Sequence, residues 1–139
     1  MNDIIPFLLN HFILSTIFII LMAAVIYVEM AGNARGVKRV SPQEAIHLIN
    51  REHALVIDLR DKALYKAGHI AHAISIGQSE LIGHSKLDGK TDQTIILVCA
   101  SGMHSPALAT QLYKKGFSKL FFLKGGMSAW SNDNLPVVK

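Results

Sequence analysis

TIILVCASGMHSPALATQLYKKG (residues 94–116) holds one complete structural unit: a strand, a tight loop and a helix. Residues 94–98 form a short apolar run rich in β-branched side chains, which reads as a strand buried on both faces. Ser101 and Gly102 break that run. From Ser105 to Lys115 apolar residues return at helical spacing, with Pro106 at the first helical position and Gly116 as the expected C-cap. Cys99, the single cysteine of the chain, stands where the strand ends. Two readings of it are open. A buried free cysteine is commonly an inert core residue. A cysteine on a strand-to-helix loop can instead be a nucleophile, because inward-turned amides and the helix N-terminus favour its thiolate. Gly102 gives the backbone the freedom such a curl requires.

Working outward, ALVIDLR (54–60), AISI (73–76) and KLFFL (119–123) read as further short strands. Helical segments separate them. Ser41-Pro42-Gln43-Glu44 is a capping box with proline at the first position. Residues 61–70 form a short helix ending near Gly68, residues 79–85 a helical turn, and GGMSAWSND (125–133) opens a last helix. Trp130, Phe121 and Phe122 are expected in the core. Short strands alternating with helices predict an α/β fold, a mostly parallel sheet with helices on both faces. In such sheets ligands collect beyond the carboxyl ends of the strands. Asp58, Arg60 and residues 99–105 all fall there.

The N-terminus has a different character. Mean hydropathy is +0.32 over 139 residues, and the excess is concentrated in residues 4–28, IIPFLLNHFILSTIFIILMAAVIYV, which carry no formal charge. As a helix this run is long enough for a hydrocarbon core of about 30 Å. It lacks the basic start and the cleavage site of a signal peptide and the polar face of a buried core helix. The expected organisation is a membrane anchor over residues 1–30, a linker over 31–36 (AGNARG) and a soluble domain over 37–139. Arg35, Lys38 and Arg39 follow the apolar run, so the positive-inside rule places that domain in the cytoplasm. One cysteine allows no internal disulfide. The net charge of +4 comes without a basic stripe interleaved with aromatics, which argues against a nucleic-acid partner. His69 and His72 are three apart, but no second pair completes a ligand set, so no metal and no cofactor is expected.

The loop C99-A-S-G-M-H-S105 resembles the active-site loop of the rhodanese family, whose pattern is Cys-x-x-Gly-x-Arg-Ser. The resemblance covers the whole soluble domain. DLR (58–60) matches the family's Asp-x-Arg strand end, GHIAHAISI (68–76) its Gly-His-Ile-x-x-Ala-x-x-Ile signature, and LKGGMSAW (123–130) its Leu-x-Gly-Gly-x-x-x-Trp ending. With the apolar N-terminus, the chain looks like bacterial inner-membrane proteins that carry one rhodanese domain on a single anchor. The resemblance implies a sulfurtransferase. Cys99 would take a sulfane sulfur from a donor, form a persulfide and pass the sulfur to a thiol or other thiophilic acceptor. The backbone of Ala100, Ser101, Gly102, Met103, His104 and Ser105 would cradle it. Asp58 and Arg60 would brace the loop from the rim, and His69 would brace the neighbouring turn.

The sequence departs from the family where it matters for anions. His104 stands where thiosulfate-using members have arginine, and Ala100 where they often have a cation. A guanidinium is always charged and forks onto two oxygens; imidazole does neither reliably. The departure implies weaker recognition of a dianionic donor, or a persulfide donor borne on a protein or small molecule. A membrane-tethered docking module without turnover is the alternative function. A phosphatase of the His-Cys-x5-Arg type is excluded by loop length, because Ser105 occupies the arginine position and Val98 that of the histidine.

Overall fold

The computed structural model describes the backbone of residues 6–7, 10–33 and 36–139, with side chains of the N-terminal helix described as far as Val28. The chain divides into two compact units, Met1–Ala34 and Arg35–Lys139.

The first unit contains helix α1, Phe12–Asn33. Thr16 returns its hydroxyl to the Phe12 carbonyl at 2.7 Å, which satisfies the one polar side chain with an in-helix partner. The large side chains from Phe12 to Val28 are exposed all round. The expected crossing over residues 4–28 lies partly outside the described residues, at 4, 5, 8 and 9. Among the described residues no helix is long and apolar enough to cross a membrane. The expected linker over 31–36 is also shorter than read, because α1 continues to Asn33. Ala31 is a strong helix former, and one Gly at position 32 costs only about 1 kcal/mol.

The second unit is built on five strands: β1 (Val37–Val40), β2 (Leu55–Asp58), β3 (Ile74–Ser75), β4 (Ile95–Val98) and β5 (Leu120–Leu123). They form one sheet in the order β1-β5-β4-β2-β3, and every pairing is parallel. All four β4 residues are buried, because helices cover both faces. Ile57, Leu97 and Cys99 share one cluster with Ala109 and Leu112 of α4 (Ser105–Lys114). Val56, Ile96 and Val98 share the other with Ala45 of α2 (Pro42–Glu52) and with Met127 and Trp130 of α5 (Gly126–Asn132). The α/β fold with a parallel sheet is therefore as the sequence predicts.

Local signals account for most boundaries. Ser41 accepts from the Glu44 amide at 3.2 Å, and Glu44 accepts from the Ser41 amide at 2.8 Å, so the capping box is complete. Helix α3 (Lys62–Ala67) stops at Gly68. Several readings change. The segment VKRV is a strand that its sequence does not announce, since β5 supplies its pairing partner. The strand over 73–76 shrinks to Ile74–Ser75, and the turn over 79–85 becomes two 3-10 turns, Gln78–Glu80 and Ser85–Leu87. Helix α4 is capped at Lys115, one residue before Gly116. Trp130 is buried as expected, whereas Phe121 and Phe122 are only half-buried, one on each face of β5. Removing the cap with Ser41→Ala should cost about 1 kcal/mol of unfolding free energy, measured by urea denaturation with an unchanged slope.

Candidate active site

Cys99 follows the last residue of β4, the strand at the middle of the sheet. Its own carbonyl accepts from the Met127 amide at 2.8 Å, and the Ala100 carbonyl accepts from the Ser128 amide at 3.1 Å and the Ser128 hydroxyl at 3.0 Å. The first turn of α5 has amides without intrahelical partners, and two of them are used here to draw the loop's carbonyls outward. The loop's own amides are then free to turn inward. The Gly102 N–H donates to Cys99 Sγ at 3.0 Å.

Two glycines make the curl sterically possible. Gly102 has φ +82°, and a Cβ there would sit 2.9 Å from the Gly125 nitrogen and 3.2 Å from the Leu123 oxygen. Gly126 has φ +56°, and a Cβ there would collide with the Cys99 carbonyl and lie 2.8 Å from the Gly102 nitrogen. The loop after β4 and the turn after β5 thus touch backbone to backbone.

The electrostatics follow from this arrangement. Burial pushes the Cys99 thiol up, yet hydrogen bonding by the Ser105 side chain and by the backbone amides of His104, Ser105 and Gly102 outweighs it and brings the thiol below its ordinary value. Ser105 is completely buried, and its Oγ has no hydrogen-bond partner of good geometry. Such an orphan costs about 1–3 kcal/mol, a cost relieved when the sulfur is charged and accepts. Both opening readings of Cys99 therefore contain something true. The residue is 2% exposed and packs in the core, but its sulfur faces a ring of donors. The cover above it is one loop thick: Ala100, Ser101, Met103 and His104 are exposed, Met103 at 78%.

The other expected site residues separate from this ring. Asp58 and Arg60 form the single ion pair among the described residues, at 2.8 Å. Arg60 Nε and Nη2 fork onto both Asp58 oxygens, and Nη2 also donates to the Gly68 carbonyl at 2.7 Å. The hydrogen bonds of these two side chains, among the described residues, go to each other, to the Arg60 amide and to the Gly68 carbonyl, and none goes to residues 99–105. The fork fastens the corner after β2 to the Gly68 turn instead. His69 stands at that turn, its ring stacked on Tyr65 at 3.8 Å and its backbone paired with Val138. The contributions of Met127 and Ser128 escape sequence reasoning. The paired glycines at 125–126 are the only local signal, and they do not say which loop they approach. Among the described residues no three His, Cys, Asp or Glu side chains converge as a metal site.

Four likenesses to known proteins bear on this geometry. Residues 41–133 match the model of the rhodanese-like domain. The chain is 37% identical to the Escherichia coli K12 protein YibN over 141 residues, covering 100% of this chain and 99% of that one. It is 33% identical over 93 residues to the thiosulfate sulfurtransferase GlpE of Pseudoalteromonas translucida, covering 67% of this chain and 88% of the relative. A rhodanese-related protein of Thermoplasma volcanium superposes with a TM-score of 0.64 at 27% identity, over 73% of this chain and 97% of that one.

Alkylation of Cys99 by iodoacetamide should rise with pH and level off below the ordinary cysteine range, because the thiolate is the reacting form. Ser105→Ala should move that midpoint upward. Gly126→Ala should destabilise the fold by about 1 kcal/mol or more and also move the midpoint upward, since the amide ring can no longer close.

Proposed function

The chain belongs to the rhodanese-like domain family, and on that footing we propose that it is a sulfurtransferase working through a persulfide on Cys99. The observation that supports this reading most is the Gly102 amide donating to the Cys99 sulfur at 3.0 Å, in a loop whose donors bring the thiol below its ordinary value despite burial. The thiolate attacks the outer sulfur of a sulfane donor. The donor's S–S bond breaks, its remaining half leaves with the bonding pair, and the outer sulfur stays on Cys99. With thiosulfate the leaving group is sulfite. An acceptor thiolate then attacks the terminal sulfur, forms its own persulfide and returns Cys99 as thiolate. No external oxidant or reductant is consumed. The persulfide bears the same charge one atom further out, where the backbone of Ala100 to Ser105 and the Ser105 hydroxyl can hold it.

The low exposure of Cys99 favours a second reading, a docking module without turnover. Under either reading we place the domain at a bacterial inner membrane, tethered by residues 4–28 and facing the cytoplasm. The exposed, charge-free side chains of residues 12–28 support the tether, and Lys38 and Arg39 support the orientation.

Mass spectrometry of the full-length protein after treatment with a sulfane donor should show one added sulfur on Cys99, absent in Cys99→Ser. An unmodified thiol with thiosulfate, mercaptopyruvate and glutathione persulfide alike would leave the docking module. His104→Arg should raise the rate with thiosulfate about tenfold, the gain from a charged donor contributing roughly 1.5 kcal/mol. A reporter fused after Lys139 should behave as cytoplasmic.

A further inference from the structure

The loop from 99 to 105 contains no lysine or arginine, and Arg60 is committed to Asp58 and Gly68. An anionic donor therefore needs a cation from another element. The register of the sheet supplies one. In the pairing of β4 with β5, Leu97 stands opposite Phe122, so two residues on, Cys99 stands level with Lys124. The Lys124 amide still bonds to the Val40 carbonyl at 2.8 Å, which carries the strand geometry one residue past Leu123. By the alternation of a strand, Lys124 lies on the face of Leu120 and Phe122, the face whose cluster includes Cys99.

The approach to the loop is close. The Leu123 carbonyl and the Gly125 nitrogen, the atoms on either side of Lys124, are the ones that a Cβ on Gly102 would meet at 3.2 and 2.9 Å. Gly102 in turn donates to the Cys99 sulfur. Lys124 is exposed and forms no ion pair among the described residues. Its four-carbon stem can swing an ammonium over the loop.

We infer that Lys124 is a specificity residue that receives the anionic end of the sulfur donor, standing in for the cations absent at positions 100 and 104. This rests on the sulfurtransferase reading and names its substrate class: a sulfane donor with an anionic terminus, such as a thiosulfonate. A single exposed ammonium holds such a group as a point charge, without the two-pronged fit of a guanidinium.

The test separates this inference from the reading it rests on. Sulfite, the anionic half of thiosulfate, should protect Cys99 of the full-length protein from alkylation. In Lys124→Gln about fivefold more sulfite should be needed, the scale of an exposed charge pair, and Lys124→Arg should restore protection. In transfer assays Lys124→Gln should raise KM for thiosulfate by a similar factor, with the difference shrinking as salt is added. Transfer from the uncharged persulfide of N-acetylcysteine amide should be unchanged. Equal losses with both donors, or no change in sulfite protection, would overturn the role of Lys124. Absence of a persulfide from every donor, with sulfite protection still lost in Lys124→Gln, would overturn turnover while keeping the anion site.

Discussion

The site depends on two carbonyl groups being held away from a sulfur atom. In a continuing strand the Cys99 and Ala100 carbonyls would point sideways without fixed partners here, and an oxygen facing a thiol does nothing for its charged form. The amides of Met127 and Ser128 take those oxygens, so the peptide planes rotate and the N–H groups that follow turn inward. The donors that lower the thiol thus come from residues 102–105, but their orientation is enforced from α5. Chemistry and constraint lie on different elements, joined through the centre of the sheet.

The same division of labour appears at the neighbouring strand end. Asp58 is buried, and a buried carboxylate is tolerated only when it is paired and fully bonded. Arg60 provides both, and its remaining donor reaches the Gly68 carbonyl. That corner is further closed by the stacking of His69 on Tyr65 and by the return of the chain at Val138. These residues look like chemistry in the sequence because they are polar, close together and placed at a strand end. In the structure their hydrogen bonds are spent on one another, so they supply shape to the edge on which the thiol sits.

How much of this the sequence discloses depends on how local the cause is. The capping box at Ser41–Glu44, the proline opening α4 and the β-branched run of β4 are set by near neighbours, and all were legible. β1 was not. Its four residues include Lys38 and Arg39, and only pairing with β5, some eighty residues away, makes them a strand. The identity of the nucleophile and the extent of its loop were readable from Cys99, Gly102 and Ser105. The groups that orient the loop were hidden, because Ser128 is near Ala100 only in space. The partner of Arg60 was two residues away, but nothing in DLR says that the guanidinium turns back on Asp58 instead of outward.

Gly102 and Gly126 lie where the loop after β4 and the turn after β5 meet main chain to main chain. Tolerance at these positions is linked: enlarging Gly102 displaces the main chain of Leu123 and Gly125, and enlarging Gly126 displaces that of Cys99 and Gly102. A saturation scan would therefore flag both as intolerant although neither carries a reactive group. Sensitivity there measures the separation of two backbones, and it should not be mistaken for participation in bond making.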